Sequence, residues 1–168
     1  GDGTFKLDLP FLVLATQNPI DQEGTYPLPE AQRDRFMMKL NISYPSKEEE
    51  LKIMQRMSDL NFKNSVKTIL TKKDINSIQN EINKISISES IEKYIIELVT
   101  ATRKPDSVGL EDLKNYISFG ASPRASINLS LASKANAFLS SRDYVMPDDV
   151  KEVANDVLNH RIILNYEA

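Results

Sequence analysis

The sequence predicts a mainly α chain in which a short strand-helix-strand segment precedes a helical bundle. Three observations carry that prediction. Beyond Pro45, apolar residues recur at spacings of three and four, the period of a helix buried along one face. The stretches that show this period open on residues suited to a helix start, such as Ser46, Thr71, Ser88, Ser122 and the Met146-Pro147 pair. Before Pro45 the texture differs, with a near-continuous apolar run from Leu9 to Thr16 and an alternating run from Met37 to Tyr44.

Leu9-Pro10-Phe11-Leu12-Val13-Leu14-Ala15-Thr16 lacks alternation, which suits a strand covered on both faces, as in a parallel sheet flanked by helices. It ends at Gln17-Asn18-Pro19, because proline cannot continue a central ladder. Thr16, Gln17 and Asn18 then sit at the carboxyl end of the strand, the edge where open α/β sheets bind ligands. Gly24, Pro27 and Pro29 shape a loop. Glu30 to Phe36 reads as a short helix, and Met37 to Tyr44 as a second strand. Two strands do not complete a sheet. Leu12, Val13 and Leu14 exposed on an unfinished sheet would invite pairing with a second copy of the chain.

Ser46 caps the next helix, where Glu48, Glu49 and Glu50 complement the dipole and Leu51, Ile53, Met54 and Met57 mark a face expected to be buried. After a polar connector, Thr71 caps a helix through about Asn83 carrying Ile75, Ile78 and Ile82. Ser88 opens another through about Thr102, with Ile91, Ile95, Leu98 and Val99. Lys104 to Gly109 reads as a loop. Ser122 to about Ser141 is a long helix rich in Ala and Leu, and Met146-Pro147-Asp148-Asp149 starts the last.

Composition closes several functional doors. The chain has 168 residues with Cys 0 and His 1, so it offers no disulfide framework, thiol nucleophile or multi-histidine metal site. Its net charge of −3 and its pI near 5.3 argue against a nonspecific nucleic-acid coat. The longest apolar run, Phe11 to Ala15, falls far short of the roughly 20 residues of a membrane-spanning helix. Gly1-Asp2-Gly3-Thr4 is polar and has no basic flank, so no signal peptide is expected; the missing initiator Met hints at a trimmed chain, and a cytoplasmic setting is expected.

Four places could carry chemistry. Asn18, at the end of the apolar strand, can hydrogen-bond a phosphate oxygen or orient a water; it can equally stabilise the turn before Pro19. Arg33 and Arg35 present rigid forks suited to phosphate, or surface charges paired with Glu30 or Asp34. In Gly120-Ala121-Ser122-Pro123-Arg124, the arginine falls in the first turn of a helix, where the dipole opposes a cation. That placement makes sense when an anion approaches the free amides, although an exposed charge tolerating the dipole fits too. His160 stands near the end of the last helix, where a protonated imidazole would suit the dipole; with no partner triad in view, a structural role is favoured.

The wording and order of these phrases resemble one family. Phe11-Leu12-Val13-Leu14-Ala15-Thr16-Gln17-Asn18-Pro19-Ile20 is followed by Gln22-Glu23-Gly24-Thr25-Tyr26-Pro27-Leu28-Pro29-Glu30-Ala31-Gln32 and Asp34-Arg35-Phe36. Far downstream come Gly120-Ala121-Ser122-Pro123-Arg124-Ala125 and His160-Arg161-Ile162. Together they look like the MoxR family of AAA+ ATPases, over essentially the whole chain and least distinctively from Lys67 to Asn83. The resemblance implies residues 1–45 as the end of the α/β ATPase core and 46–168 as its helical lid. It matches Asn18 to sensor 1, which helps place the attacking water, Arg35 to the arginine finger, and Arg124 to sensor 2. Arg33 occupies a position usually apolar in the family and is the weaker finger candidate.

No G-x-x-x-x-G-K-[ST] loop occurs among the Gly 5 of this sequence, and no apolar strand ends in an Asp-Glu pair to hold Mg²⁺. The resemblance thus implies ATP and Mg²⁺ for the full-length protein and no nucleotide bound to this chain alone, which is expected to be inactive. It further implies a ring, expected to be a hexamer, that works as a chaperone on client complexes together with von Willebrand factor A domain proteins. Two other readings are a helical interaction module without enzymatic activity and a DNA-remodelling AAA+ relative; the acidic pI speaks against the second.

Overall fold

The computed structural model of the chain describes residues 3–17, 28–60, 62 and 66–168. Among these it is mainly α: α1 (Glu30–Arg33), α2 (Lys47–Met57), α3 (Lys72–Lys84), α4 (Glu89–Arg103), α5 (Pro123–Leu139) and α6 (Pro147–Leu158). Two short strands, β1 (Ile117–Phe119) and β2 (Ile163–Leu164), pair antiparallel with Ile117 opposite Leu164 and Phe119 opposite Ile163. No helix among the described residues is long and apolar enough to cross a membrane.

The predicted caps form as local chemistry dictates. Ser46 Oγ accepts from the Glu49 amide while Glu49 accepts from the Ser46 amide at 2.8 Å, a reciprocal box that satisfies two donors at the start of α2. Thr71 and Asp74 build the same box on α3. Ser88 caps α4, and Ser122 caps α5 with Pro123 at the first helical position. The expected loop after α4 winds instead into a short 3₁₀ turn, Pro105–Val108, closed by Gly109 in the left-handed region at φ 76°.

The core lies where α5 packs against α6, α4 and α3. Ala125, Leu129, Ala132, Ser133 and Ala137 form the buried stripe of α5. The small size of its alanines and of Ser133 lets its own Leu129, Ile91, Ile95 and Val99 of α4, and Val150, Val153 and Val157 of α6 fill the space between the axes. Ser86, between α3 and α4, donates its amide to Asp143 O and accepts from Val145, tying the connector after α5 back to the bundle.

The segment before α2 corrects two expectations. Residues 11–17 and 38–46 form no strand. A strand needs partners for its amides and carbonyls, and neither run finds a ladder among the described residues. Leu12, Val13 and Leu14 are 79%, 61% and 82% exposed. The second run is held to α6 instead, through the Lys39 amide donating to Asp156 O at 2.8 Å. The apolar side of α2 is likewise exposed, Leu51, Ile53, Met54 and Met57 all being at least half accessible, so its expected buried face has no cover among the described residues.

Candidate functional site

Helix α1 lasts only one turn, and the chain then tightens. The Asp34 amide donates to Glu30 O, Arg35 to Gln32 O and Phe36 to Arg33 O, at 2.9, 3.2 and 3.1 Å. This turn faces the start of α5 and the residues just after α6, which brings three distant parts of the sequence together at Asp34.

Asp34 is the hub. Its carboxylate accepts from Ser122 Oγ at 2.9 Å, from Arg124 Nη1 at 3.0 Å and from Arg161 Nε at 3.2 Å. Ser122 Oγ in turn accepts from the Arg124 amide at 3.2 Å, so a single hydroxyl caps α5 and joins it to the turn. Burial alone would push the Asp34 carboxyl up. The hydrogen bonds from Ser122 and Arg124 and the charges of Arg161 and Arg124 outweigh burial and hold it below its ordinary value.

The two arginine partners differ in kind. The Arg124 side chain is 55% exposed and that of Arg161 is 0% exposed, against 16% for Asp34. A half-solvated pair of the first sort is worth about 0–1 kcal/mol, whereas breaking a buried pair of the second costs about 3–5 kcal/mol. A competing anion can therefore draw Arg124 away from Asp34 while Arg161 stays.

His160 lies just past α6 and is buried, its Nε2 3.1 Å from Phe36 O. A carbonyl only accepts, so the proton sits on Nε2. Nδ1 is then a bare acceptor, buried without a partner. Burial pushes the imidazole pKa down, Arg161 adds to the effect, and the Phe36 bond only partly offsets it. The ring is thus held neutral, which corrects the expectation of an imidazolium at a helix end and agrees with a structural role.

Asn18 lies outside the described residues. Arg35 is exposed, in the turn that Asp34 anchors, and Arg124 meets the same Asp34 from α5. Arg33 is half-buried, with Nε shielded and unpaired. Sequence reasoning passed over Asp34 and Arg161 as site residues. The signal for Arg161 was present: a charge set among Val157, Leu158, Ile162 and Ile163 has to meet an opposite charge. A cleft of about 200 Å³ lies beside Asp34, Ser122, His160 and Arg161, below the roughly 300 Å³ at which small-molecule pockets begin. No cluster of acidic or histidine side chains able to hold a metal occurs among the described residues. Arg124 is thus half-exposed on the Asp34 carboxylate, and Arg35 is exposed one residue along the same turn.

The chain is thus a helical bundle preceded by the one-turn helix α1 and, directly after it, the turn Asp34-Arg35-Phe36. Residues 110–168 match the family model of the AAA lid domain, and residues 1–38 that of the ATPase family associated with various cellular activities (AAA). The chain is 47% identical over 168 residues to chaperone MoxR1 of Mycobacterium tuberculosis, covering 100% of this chain and 44% of that protein. It is 43% identical over 165 residues to the uncharacterized protein YeaC of Bacillus subtilis, covering 98% of this chain and 49% of that one. Its structure superposes with a TM-score of 0.93 and 64% sequence identity on a crystal structure of a presumed ATPase from Cytophaga hutchinsonii, covering 100% of this chain and 51% of the other. The chain belongs to the MoxR family of AAA+ ATPases, of which it represents a C-terminal portion. It spans about half the length of the curated relatives it matches.

Proposed function

We propose that this chain supplies the trigger residues and lid of a MoxR-type AAA+ ATPase that couples ATP binding and hydrolysis to chaperone-like assembly or activation of protein complexes. The observation that carries the reading is Asp34, which ties the turn bearing Arg35 to the helix start bearing Arg124 and leaves both guanidiniums facing solvent. In this reading residues 1–45 end the ATPase core and 46–168 form the lid. The name of the chaperone MoxR1, similar along the whole chain, supports the chaperone role.

The residues present fit the outer, charge-facing side of a triphosphate. Arg124 would meet the phosphates of the subunit's own nucleotide, Arg35 those of a neighbour's in a ring, expected to be a hexamer, and Asn18 would place the attacking water. ATP with Mg²⁺ supplies the phosphoryl group whose transfer drives the lid, and both belong to the full-length protein. Phosphoryl transfer asks a protein mainly for positioned positive charge, which Arg35 and Arg124 provide. The chain alone, lacking the phosphate loop, neither binds ATP tightly nor hydrolyses it. The working ring is cytoplasmic and acts with von Willebrand factor A domain proteins on its clients.

The test is steady-state ATP hydrolysis by the full-length protein. Arg35→Ala should lower kcat by about 10³–10⁵, the usual worth of an arginine finger, with Asn18→Ala also lowering kcat. Arg124→Ala should weaken nucleotide binding as well. Unchanged turnover in all three variants overturns the reading.

A further inference from the structure

The guanidinium of Arg161 has five N–H donors, and five acceptors surround it. Nε donates to the Asp34 carboxylate at 3.2 Å, Nη1 to Met37 O at 3.2 Å and to Val157 O, and Nη2 to Asp34 O at 3.0 Å and to Phe36 O. All five are used. Four of the five acceptors belong to Asp34, Phe36 and Met37, which bracket Arg35 on both sides, and the fifth to Val157 in the last turn of α6, just before Arg161. The His160 ring adds a second bond to Phe36 O at 3.1 Å. Arg35 itself, enclosed by residues held this way, is exposed.

We infer that Arg161 is a positioning residue for Arg35: it fixes the Asp34-Arg35-Phe36 turn to the end of α6, so that the candidate finger travels with the lid. The inference rests on the reading of Arg35 as the finger. Arg161 touches no nucleotide in this scheme and acts only through the backbone on either side of Arg35. The geometry couples the two events that a ring must synchronise, because a lid displaced at one site carries with it the arginine aimed at the next. A lysine at this position would keep the charge but bring at most three donors, so at least two of the five bonds that tether the turn would be lost.

The experiment measures kcat and KM for ATP in the full-length protein carrying Arg161→Lys, Arg35→Ala and the two together, with the folded fraction of each followed by circular dichroism. A misplacement near 1 Å costs up to about 10²-fold, so Arg161→Lys should lower kcat by roughly 10–10²-fold with KM little changed. The double variant should be no slower than Arg35→Ala alone, since Arg161 has nothing left to position. Should Arg161→Lys fail to fold, His160→Ala takes its place; it removes the second bond to Phe36 O without touching Arg124, and its loss in kcat should vanish in the same way on the Arg35→Ala background. A fall in kcat from Arg35→Ala with none from the clamp variant, or losses that multiply in the double, overturns the inference alone. An Arg35→Ala variant with full kcat overturns the finger reading and the inference with it.

Discussion

Gly120 opens the phrase that ends in Arg124, and the structure shows why a side chain does not fit there. A Cβ at this position would lie 2.3 Å from Thr102 O and 2.7 Å from the Arg103 amide nitrogen, both backbone atoms at the end of α4. Ordinary contact begins near 3.4 Å, so the two segments would have to part by about 1 Å. Two hydrogen bonds cross that gap: the Ala121 amide donates to Thr102 Oγ1 at 2.9 Å, and Arg103 Nε donates to Ala121 O at 2.6 Å. Both would be stretched out of range. Overpacking of this kind costs about 1–3 kcal/mol, and the two lost bonds add about 0.5–3 kcal/mol each. A gain of about 0.4–1 kcal/mol from the stiffer unfolded chain offsets part of this. Gly120→Ala should therefore lower stability by about 1–9 kcal/mol, centred near 5, which for a chain of this size lowers Tm by roughly 10–20 °C at the centre of the range. Gly109→Ala is the control: its φ is 76° with nothing within 4 Å, so it meets only the conformational cost of about 1–2 kcal/mol. The assay is urea and thermal unfolding followed by circular dichroism. Gly120→Ala melting within a degree or two of the wild type, or above Gly109→Ala, would refute the steric argument.

Three further predictions follow from the same structure. Asp149 accepts from Arg142 Nη1, the Met146 amide and Asn136, and its side chain is only 3% exposed; Asp149→Ala should cost about 3–5 kcal/mol in urea unfolding by stranding Arg142. Ser133 Oγ is buried without a partner, so Ser133→Ala should be neutral or stabilise by about 1 kcal/mol. Acid should unfold the chain in two windows. His160, the His 1 of the chain, is held neutral by burial, so the unfolded state takes up a proton first and stability should begin to fall below about pH 6.5, a slope His160→Gln should remove. Asp149, held low first by Arg142, and Asp34, held low despite burial, contribute stability above about pH 4 that is lost as pH falls through their folded values.

What could be read in the sequence was local. The starts of α2, α3, α4 and α5 stand where Ser46, Thr71, Ser88 and Ser122 foretold, because a cap and the amides it satisfies lie within three residues. The strands read at Leu9–Thr16 and Met37–Tyr44 failed because a ladder needs a neighbour that the run itself does not specify. β1 and β2 were missed for the converse reason: three and two residues are too short to show a period. Arg35 and Arg124 were singled out by charge and helix position, and Asn18 stays outside the described residues. The element joining the first two was only half legible: the apolar neighbours of Arg161 called for an opposite charge, but nothing in the sequence pointed to Asp34, 127 residues away.

The central claim is that these arginines act on a nucleotide held by another part of the full-length protein. Calorimetric titration of Mg²⁺-ATP into the 168-residue chain and into the full-length protein, each as wild type and Arg124→Ala, tests it most directly. The account predicts no heat of binding for the chain alone, and binding by the full-length protein that Arg124→Ala weakens. Micromolar binding by the chain alone, lost in Arg124→Ala, would contradict it, because the start of α5 would then be a complete phosphate site in itself.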